Sequence, residues 1–346
     1  MPPIWTHEHL LAHPHGPVPS APKPTLGEGN TPLVSFPKLA KQLGVARLLL
    51  KREDLNPSGS HKDRGLLYQV ATHSPEGGQT FVISSSGNAA VSAAAACRVT
   101  GNRLIAFVSP STNPGKMARL LQSDAVVVSC PKPLNFARYA ARVFGLTNLR
   151  GTKDPIASVG YRTIAAEVRE EEQGVAALFT FSSSGISLQG IANGFQILGD
   201  SPQLWAVQSG ECIGIVRALH PDTPTDPTSP AGRLGIKTPP GAERLAQTLV
   251  STGGGAIAVE GQEVTLWQDR LDQVGVRTSP EGAAVLGGIA RTEGLQDSSV
   301  VAVMTGKAHP PGGIDAGQEL PAPEWVESYL DVRQLLQDGL GLTVRP

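Results

Sequence analysis

The stretch Leu48-Leu49-Leu50-Lys51-Arg52-Glu53-Asp54-Leu55-Asn56-Pro57-Ser58-Gly59-Ser60-His61-Lys62-Asp63-Arg64-Gly65 leaves a short apolar run, crosses a Pro/Ser/Gly turn and enters a helical segment. A lysine in the first helical turn faces the positive end of the helix dipole, which a surface tolerates but an interior must justify. Condensation of that amine with an aldehyde would justify it, because the ordinary ammonium is then gone. The stretch is superficially similar to a nucleotide phosphate loop, which needs Gly four residues ahead of Gly-Lys-Ser/Thr. Here Lys62 follows Ser60-His61 and precedes Asp63, so a nucleoside triphosphatase is not indicated.

Working outward, further apolar runs alternate with Ala-rich helical segments. The runs are Phe81-Val82-Ile83, 104–108, 125–128, 177–180, 204–207 and 300–304; helices are expected at 89–99, 117–121, 163–173 and 263–274, the last near the turn Gly253-Gly254-Gly255. Continuous apolar runs between helices predict an α/β chain with largely parallel sheets flanked by helices. Ligands of such sheets sit beyond the strand carboxyl ends, so functional residues are sought at the strand-to-helix junctions.

Three more junctions stand out. Ser84-Ser85-Ser86-Gly87-Asn88-Ala89-Ala90 opens an Ala-rich helix, and backbone amides with short polar side chains at a helix start favour an anion, although plain N-capping also explains them. Phe181-Ser182-Ser183-Ser184-Gly185-Ile186-Ser187 repeats the arrangement after another strand. Val303-Met304-Thr305-Gly306-Lys307 puts a hydroxyl at the end of a late strand.

Composition narrows the class. The 346 residues carry 29 Lys plus Arg against 30 Asp plus Glu, a net charge of −1 that offers no footprint for nucleic acid or an anionic membrane. Apolar residues at 40% and charged residues at 17% predict a folded chain long enough for two domains. No run reaches the roughly 18 apolar residues of a membrane span, and no signal core follows the start, so a cytoplasmic protein is expected. Cys97, Cys130 and Cys212 form no C-x-x-C pair and read as small apolar residues; no metal site is expected, the histidines at 7, 9, 13 and 15 lacking acidic partners or compact spacing. The Pro-rich segments 1–26 and 217–240 are expected as excursions or mobile loops. Gly27-Glu28-Gly29-Asn30-Thr31-Pro32 fails the dinucleotide fingerprint at its last position and precedes any strand, and no G-x-S-x-G elbow of a serine hydrolase occurs.

Taken together and in this order, the four junctions resemble the fold-type II pyridoxal-phosphate enzymes, and within them threonine synthase. The resemblance covers about residues 5–309 and includes Leu26-Gly27-Glu28-Gly29-Asn30-Thr31-Pro32-Leu33, Gly160-Tyr161-Arg162-Thr163 with Ala166-Glu167, Val207-Gln208-Ser209-Gly210-Glu211-Cys212 and Ser279-Pro280-Glu281-Gly282-Ala283-Ala284. It implies two domains with pyridoxal 5′-phosphate in the cleft between them: an N-terminal segment 1–35 belonging to the large domain, a small domain 36–150, the large domain 151–330 and a C-terminal segment 331–346. It further implies that Lys62 is the Schiff-base lysine and acid/base. Asn88 would bond the cofactor's phenolic oxygen, while Ser182, Ser183, Ser184, Gly185, Ile186 and Ser187 would hold its phosphate. Thr305 would face the pyridine nitrogen, a neutral partner that suits elimination and replacement at Cβ or Cγ. Ser85, Ser86, Gly87 and Ala89 would meet the substrate, the first three through its carboxylate. An amino-acid substrate and a homodimer are expected.

Departures from that family pattern bear on the substrate. The phosphate loop is mainly serine where glycine is usual, and His61 replaces the phenylalanine that normally precedes the lysine. Ala89 stands where a threonine hydroxyl is usual; Asp154 and Ala157 stand where Asn and Arg hold the substrate's own phosphate. Losing the Arg removes a bidentate clamp, and a carboxylate would repel the same group. The expected function is therefore an amino-acid lyase or synthase of the threonine synthase kind, with poor use of O-phosphohomoserine unless Arg162, Lys116 or Lys153 substitutes. β-Elimination or β-replacement on serine, threonine or a related amino acid is the alternative, and a catalytically weak cofactor- or amino-acid-binding protein is a third.

Overall fold

Eleven strands, all among the residues described by the computed structural model (3–13, 23–112, 114–232, 236–308 and 321–345), divide between two sheets. In chain order they are β1 (Leu33–Ser35), β2 (Arg47–Lys51), β3 (Thr80–Ser84), β4 (Arg103–Val108), β5 (Val126–Ser129), β6 (Thr147–Asn148), β7 (Ala177–Phe181), β8 (Gln203–Ser209), β9 (Gly255–Val259), β10 (Ser299–Val303) and β11 (Glu324–Trp325). The six-stranded sheet has the order β1-β2-β10-β7-β8-β9 and the five-stranded sheet β11-β5-β4-β3-β6. All pairings are parallel except β1 with β2. Every residue of β7 is buried, as expected of a parallel strand covered on both faces.

Register positions the chemistry. Lys51 at the end of β2 and Thr180 near the end of β7 both face Val303 at the end of β10, and Phe181 faces Val207 on β8. The segments that follow, carrying Lys62, Thr305 and Ser182, therefore leave the six-stranded sheet along one edge, where Gln208 stands near the end of β8. Asn88 follows β3 in the other sheet and opens the helix Asn88–Val99.

The expected boundaries do not coincide with the sheets. β2 lies inside 36–150 yet pairs with β10 in the larger sheet, and β11 lies inside 151–330 yet pairs with β5 in the smaller one. The start of the chain is also split. β1 joins the larger sheet, whereas Ile4, Trp5 and Leu11 pack with Leu67, Tyr68 and Phe81 beside the smaller one.

Two segments expected to be loose are anchored where they are described. Trp5 Nε1 donates to the Pro24 carbonyl (2.7 Å) and Tyr68 donates its hydroxyl to the Leu11 carbonyl (2.7 Å). Asp226 accepts from the Gly261 amide (2.6 Å) at the start of the helix Gly261–Gln273, and the Ser229 and Ser209 hydroxyls pair at 2.6 Å. Pro-rich composition hid both anchors, since each depends on a partner distant in sequence. His15 lies outside the described residues, and no cluster of metal-ligating side chains occurs among them.

A buried ionic knot ties the motifs together. The Arg64 guanidinium donates to both oxygens of Glu53 (2.8 and 2.6 Å), to both oxygens of Glu167 (2.6 and 2.7 Å) and to Thr163 Oγ1 (2.9 Å). Lys51 Nζ lies 2.8 Å from Glu167, the Thr31 hydroxyl donates to Glu53 (2.6 Å), and the Asn30 amide donates to Glu167 (2.8 Å). Two cations face two buried carboxylates, and every one is multiply hydrogen-bonded, the condition under which buried charge is tolerated. Gly160 lets the Lys62 helix (Lys62–His73) come close, because a Cβ there would stand 2.2 Å from the Arg64 carbonyl oxygen.

Removing the central cation strands Glu53 and Glu167. Arg64→Leu should cost about 3–5 kcal/mol, the usual loss when one partner of a buried pair is deleted, and urea unfolding measures it. A second expectation concerns acid. Burial acts to raise the Glu167 carboxyl, but Arg64 and then Lys51 outweigh it and hold it at about 2. The unfolded chain titrates at about 4.3 and so binds more protons than the native one in that window. This contribution is complete above about pH 4.3 and disappears as pH falls toward 2, so Glu167→Gln should flatten the acid limb of a stability profile.

Candidate active site

Lys62 is the first residue of its helix, and its Nζ stands 5.7 Å from the centre of the Tyr161 ring. Burial lowers the amine to about 8, so it gives up its proton far more readily than an ordinary lysine. Tyr161 fits because position 65 is glycine: a Cβ there would come within 2.4 Å of the phenol ring. The loop ahead of Lys62 turns back on its own helix. Asp63 accepts from the Ser58 amide (2.8 Å) and from the Ser58 hydroxyl, which also meets Ser92 Oγ at 2.9 Å. A carboxylate in the first helical turn also suits the helix dipole.

Three donors converge on the Thr305 carbonyl: the His61 amide (3.2 Å), the Ser60 hydroxyl (3.1 Å) and His61 Nδ1 (2.7 Å). A carbonyl only accepts, so the His61 proton sits on Nδ1 and Nε2 is a bare acceptor. Nε2 is buried without a protein partner among the described residues. Burial first, and then the Lys62 and Arg64 charges, keep this imidazole well below its usual range, so it is neutral. Its ring packs 5.5 Å from that of Tyr161.

Asn88 comes to the same place from the smaller sheet. A Cβ at Gly306 would lie 3.0 Å from Asn88 Nδ2 and 3.6 Å from Ser279 Oγ, so the absence of a side chain there lets the two sheets' strand ends meet. Ser85, Ser86, Gly87 and Ala89 flank Asn88 and are half-buried. The Ser85 hydroxyl accepts from the Gly87 amide (3.2 Å), which shapes the turn.

Beyond β7, the Ser182 amide donates to the Val207 carbonyl (2.9 Å), and Gly185 takes φ +85° to start the helix Ile186–Leu198. Gln208 braces this turn by donating to the Ser182 carbonyl (2.7 Å) while accepting from the Ile215 and Val216 amides (2.9 and 3.0 Å). The Ser182 hydroxyl is buried and without a protein partner among the described residues. A buried hydroxyl beside a helix start, whose first amides lack intrahelical partners, supplies donors of the kind that a phosphate accepts from. With an amine lowered toward neutrality and a hydroxyl residue at 305, the donor set fits pyridoxal phosphate. A cavity of 1120 Å³ beside Gly214, Arg217, Lys237 and Arg244 contains none of these residues.

The positions expected to govern substrate phosphate are otherwise engaged. Asp154 accepts from Gln69 (2.5 Å), His73 (2.6 Å) and the Ile156 amide (3.1 Å). The Asp154 oxygens thus face donors at the end of the Lys62 helix, and those bonds, against burial, hold its carboxyl below the ordinary range. Ala157 is buried, its Cβ 3.4 Å from the Cβ position of Gly151 beside Ile186. Arg162 donates to the carbonyls of Leu10 (2.8 Å) and Ala12 (3.1 Å). The Lys153 side chain lies outside the described residues.

Gln208, Gly306, Arg119 and the placement of Tyr161 had no assigned role in the sequence. A glutamine at the end of an apolar strand is the one legible signal among them; the others depend on which residues meet across the sheets.

A family profile described as pyridoxal-phosphate dependent enzyme matches residues 24–306. Threonine synthase of Methanosarcina acetivorans is 27% identical over 95% of this chain and 85% of its own length. That of Methanocaldococcus jannaschii is 26% identical, covering 85% and 79%. Among solved structures, an L-serine ammonia-lyase from Rhizomucor miehei superposes with a TM-score of 0.69 at 19% identity, covering 80% of this chain and 93% of that one. Threonine deaminase isoform 2 from Solanum lycopersicum gives 0.68 at 20%, covering 81% and 80%. These structures share the fold-type II architecture, and the profile spans most of the sequence. The chain belongs to the pyridoxal-phosphate dependent enzyme family.

Proposed function

We propose that the protein is a pyridoxal-phosphate dependent lyase that removes an uncharged leaving group, of the serine or threonine hydroxyl kind, from an amino acid. One observation carries the choice of substrate: at the wall where a phosphate clamp would stand, Ala157 offers no donor, and Asp154 and Arg162 are turned to other partners. A phosphate dianion taken from water without charged partners costs several kcal/mol. Threonine synthase is the second reading, favoured by relatives that match nearly the whole chain.

When bound, the cofactor supplies the aldehyde for Lys62 and the electron sink for the substrate's α-carbon. In this reading the Ser182–Ser187 turn holds its phosphate, Asn88 its phenolic oxygen and Thr305 its ring nitrogen. Ser85, Ser86 and Gly87 receive the substrate carboxylate. Lys62 Nζ, lowered to about 8, takes the proton from Cα and can return one to the departing group. His61 stays neutral and adds no cation beside the amine. The smaller-sheet and larger-sheet walls form a cleft whose closure over substrate would exclude water.

Lys62→Ala protein should bind cofactor with no borohydride-fixable attachment; a covalent adduct retained on another lysine would sink the assignment. Steady-state rates with O-phosphohomoserine, serine and threonine decide the substrate. A kcat/KM for O-phosphohomoserine below about 10⁴ M⁻¹s⁻¹, the low end of ordinary enzymes, and below that of the better hydroxy amino acid is expected. The reverse ranking makes the protein a threonine synthase.

A further inference from the structure

Arg119 stands on the helix Pro114–Leu121, beside the smaller sheet, and reaches to the Lys62 loop and to Asn88 at once. Its Nη2 donates to the Ser58 carbonyl at 2.8 Å, and its Nη1 donates to Asn88 Oδ1 at 3.4 Å. The guanidinium is half-buried, and its charge faces that of Asp63.

Arginine carries donors only, so the Asn88 atom turned toward it is the amide oxygen. Asn88 Nδ2 then lies on the other side, next to Gly306, where the ends of the two sheets meet. The oxygen and nitrogen of a carboxamide are nearly the same size, so packing alone does not choose between the two orientations of this side chain. A cation behind the oxygen does. With the amide reversed, its oxygen would confront the cofactor's own oxygen, and a donor would become a repulsive contact.

We propose that Arg119 is a positioning residue that locks the Asn88 amide with its N–H groups toward the cofactor's phenolic oxygen and, as a cation behind it, favours the anionic form of that oxygen. The proposal rests on the reading of Asn88 as the partner of that oxygen.

A double-mutant cycle tests it. Pyridoxal phosphate is titrated into the apoproteins of the native enzyme, Arg119→Gln, Asn88→Ala and the double variant. Dissociation constants, the ratio of visible to near-ultraviolet absorbance of the bound cofactor, and the thermal midpoint of each apoprotein are recorded. Arg119→Gln in the native background should weaken binding about tenfold, the size of one charge-assisted hydrogen bond, and shift absorbance toward the near-ultraviolet. In the Asn88→Ala background it should change affinity less than about twofold and leave the spectrum in place. Equal losses in both backgrounds would show that Arg119 only holds the loop at Ser58 and would overturn the proposal, as would native affinity and spectrum in Arg119→Gln. Native values in Asn88→Ala would instead remove the reading of Asn88, and this proposal with it. Should Arg119→Gln fail to fold, Arg119→Lys is measured in the same two backgrounds, with a loss of about threefold or more expected only when Asn88 is present.

Discussion

One guanidinium holds the frame in which everything else sits. Arg64 spends its donors on Glu53, Glu167 and Thr163, and those partners come from the β2 extension and from the helix Arg162–Glu171. Thr31 and Asn30 join from the N-terminal segment and Lys51 from β2 itself. A buried charge network of this kind adds little net stability over an apolar core, but it is costly to break and tolerates few geometries. That makes it a registration device. It sets the Lys62 helix at one angle to the sheet, and Lys62 is two residues from its centre.

Electrostatics at the site follow from the neighbourhood of that knot. The charges of Arg64 are matched by carboxylates, whereas among the described residues Lys62 and His61 have no such ion-pair partner, and burial moves both toward their neutral forms. A short span thus carries a permanently charged Arg64, a neutral His61 and a Lys62 whose amine is more easily deprotonated than usual. The difference comes from Glu53 and Glu167, which face Arg64 and not Lys62. Among the described residues, Ser182 Oγ and His61 Nε2 are buried without a protein partner.

Much of this was legible from local pattern. The runs at 48–50, 81–83, 104–108, 177–180, 204–207 and 300–304 are strands, because a fully buried parallel strand needs continuous apolar residues and leaves little ambiguity. β9 was missed: Gly255-Ala256-Ile257-Ala258-Val259 begins with the last of three consecutive glycines and reads as a turn until Trp205 and Val207 supply its ladder. At β2 and β11 the sheets depart from the expected boundaries for the same reason, since sheet membership is a long-range pairing. Asp154 was read as a free carboxylate because nothing near it in sequence reveals His73 and Gln69.

The sequence by itself determined the alternation of strand and helix, the Ser- and Gly-rich turns at the strand ends and the lysine that opens a helix, because each is specified by residues within a few positions of one another. Tertiary structure decided which strand ends stand side by side, which carboxylates neutralise Arg64, where the oxygens of Asp154 turn and which way the Asn88 amide faces. Those outcomes depend on pairings across tens to hundreds of residues, such as Arg64 with Glu167 and Asn88 with Gly306. Hydrophobic period and turn chemistry carry no information about them until the sheets have formed and the buried polar groups have found partners.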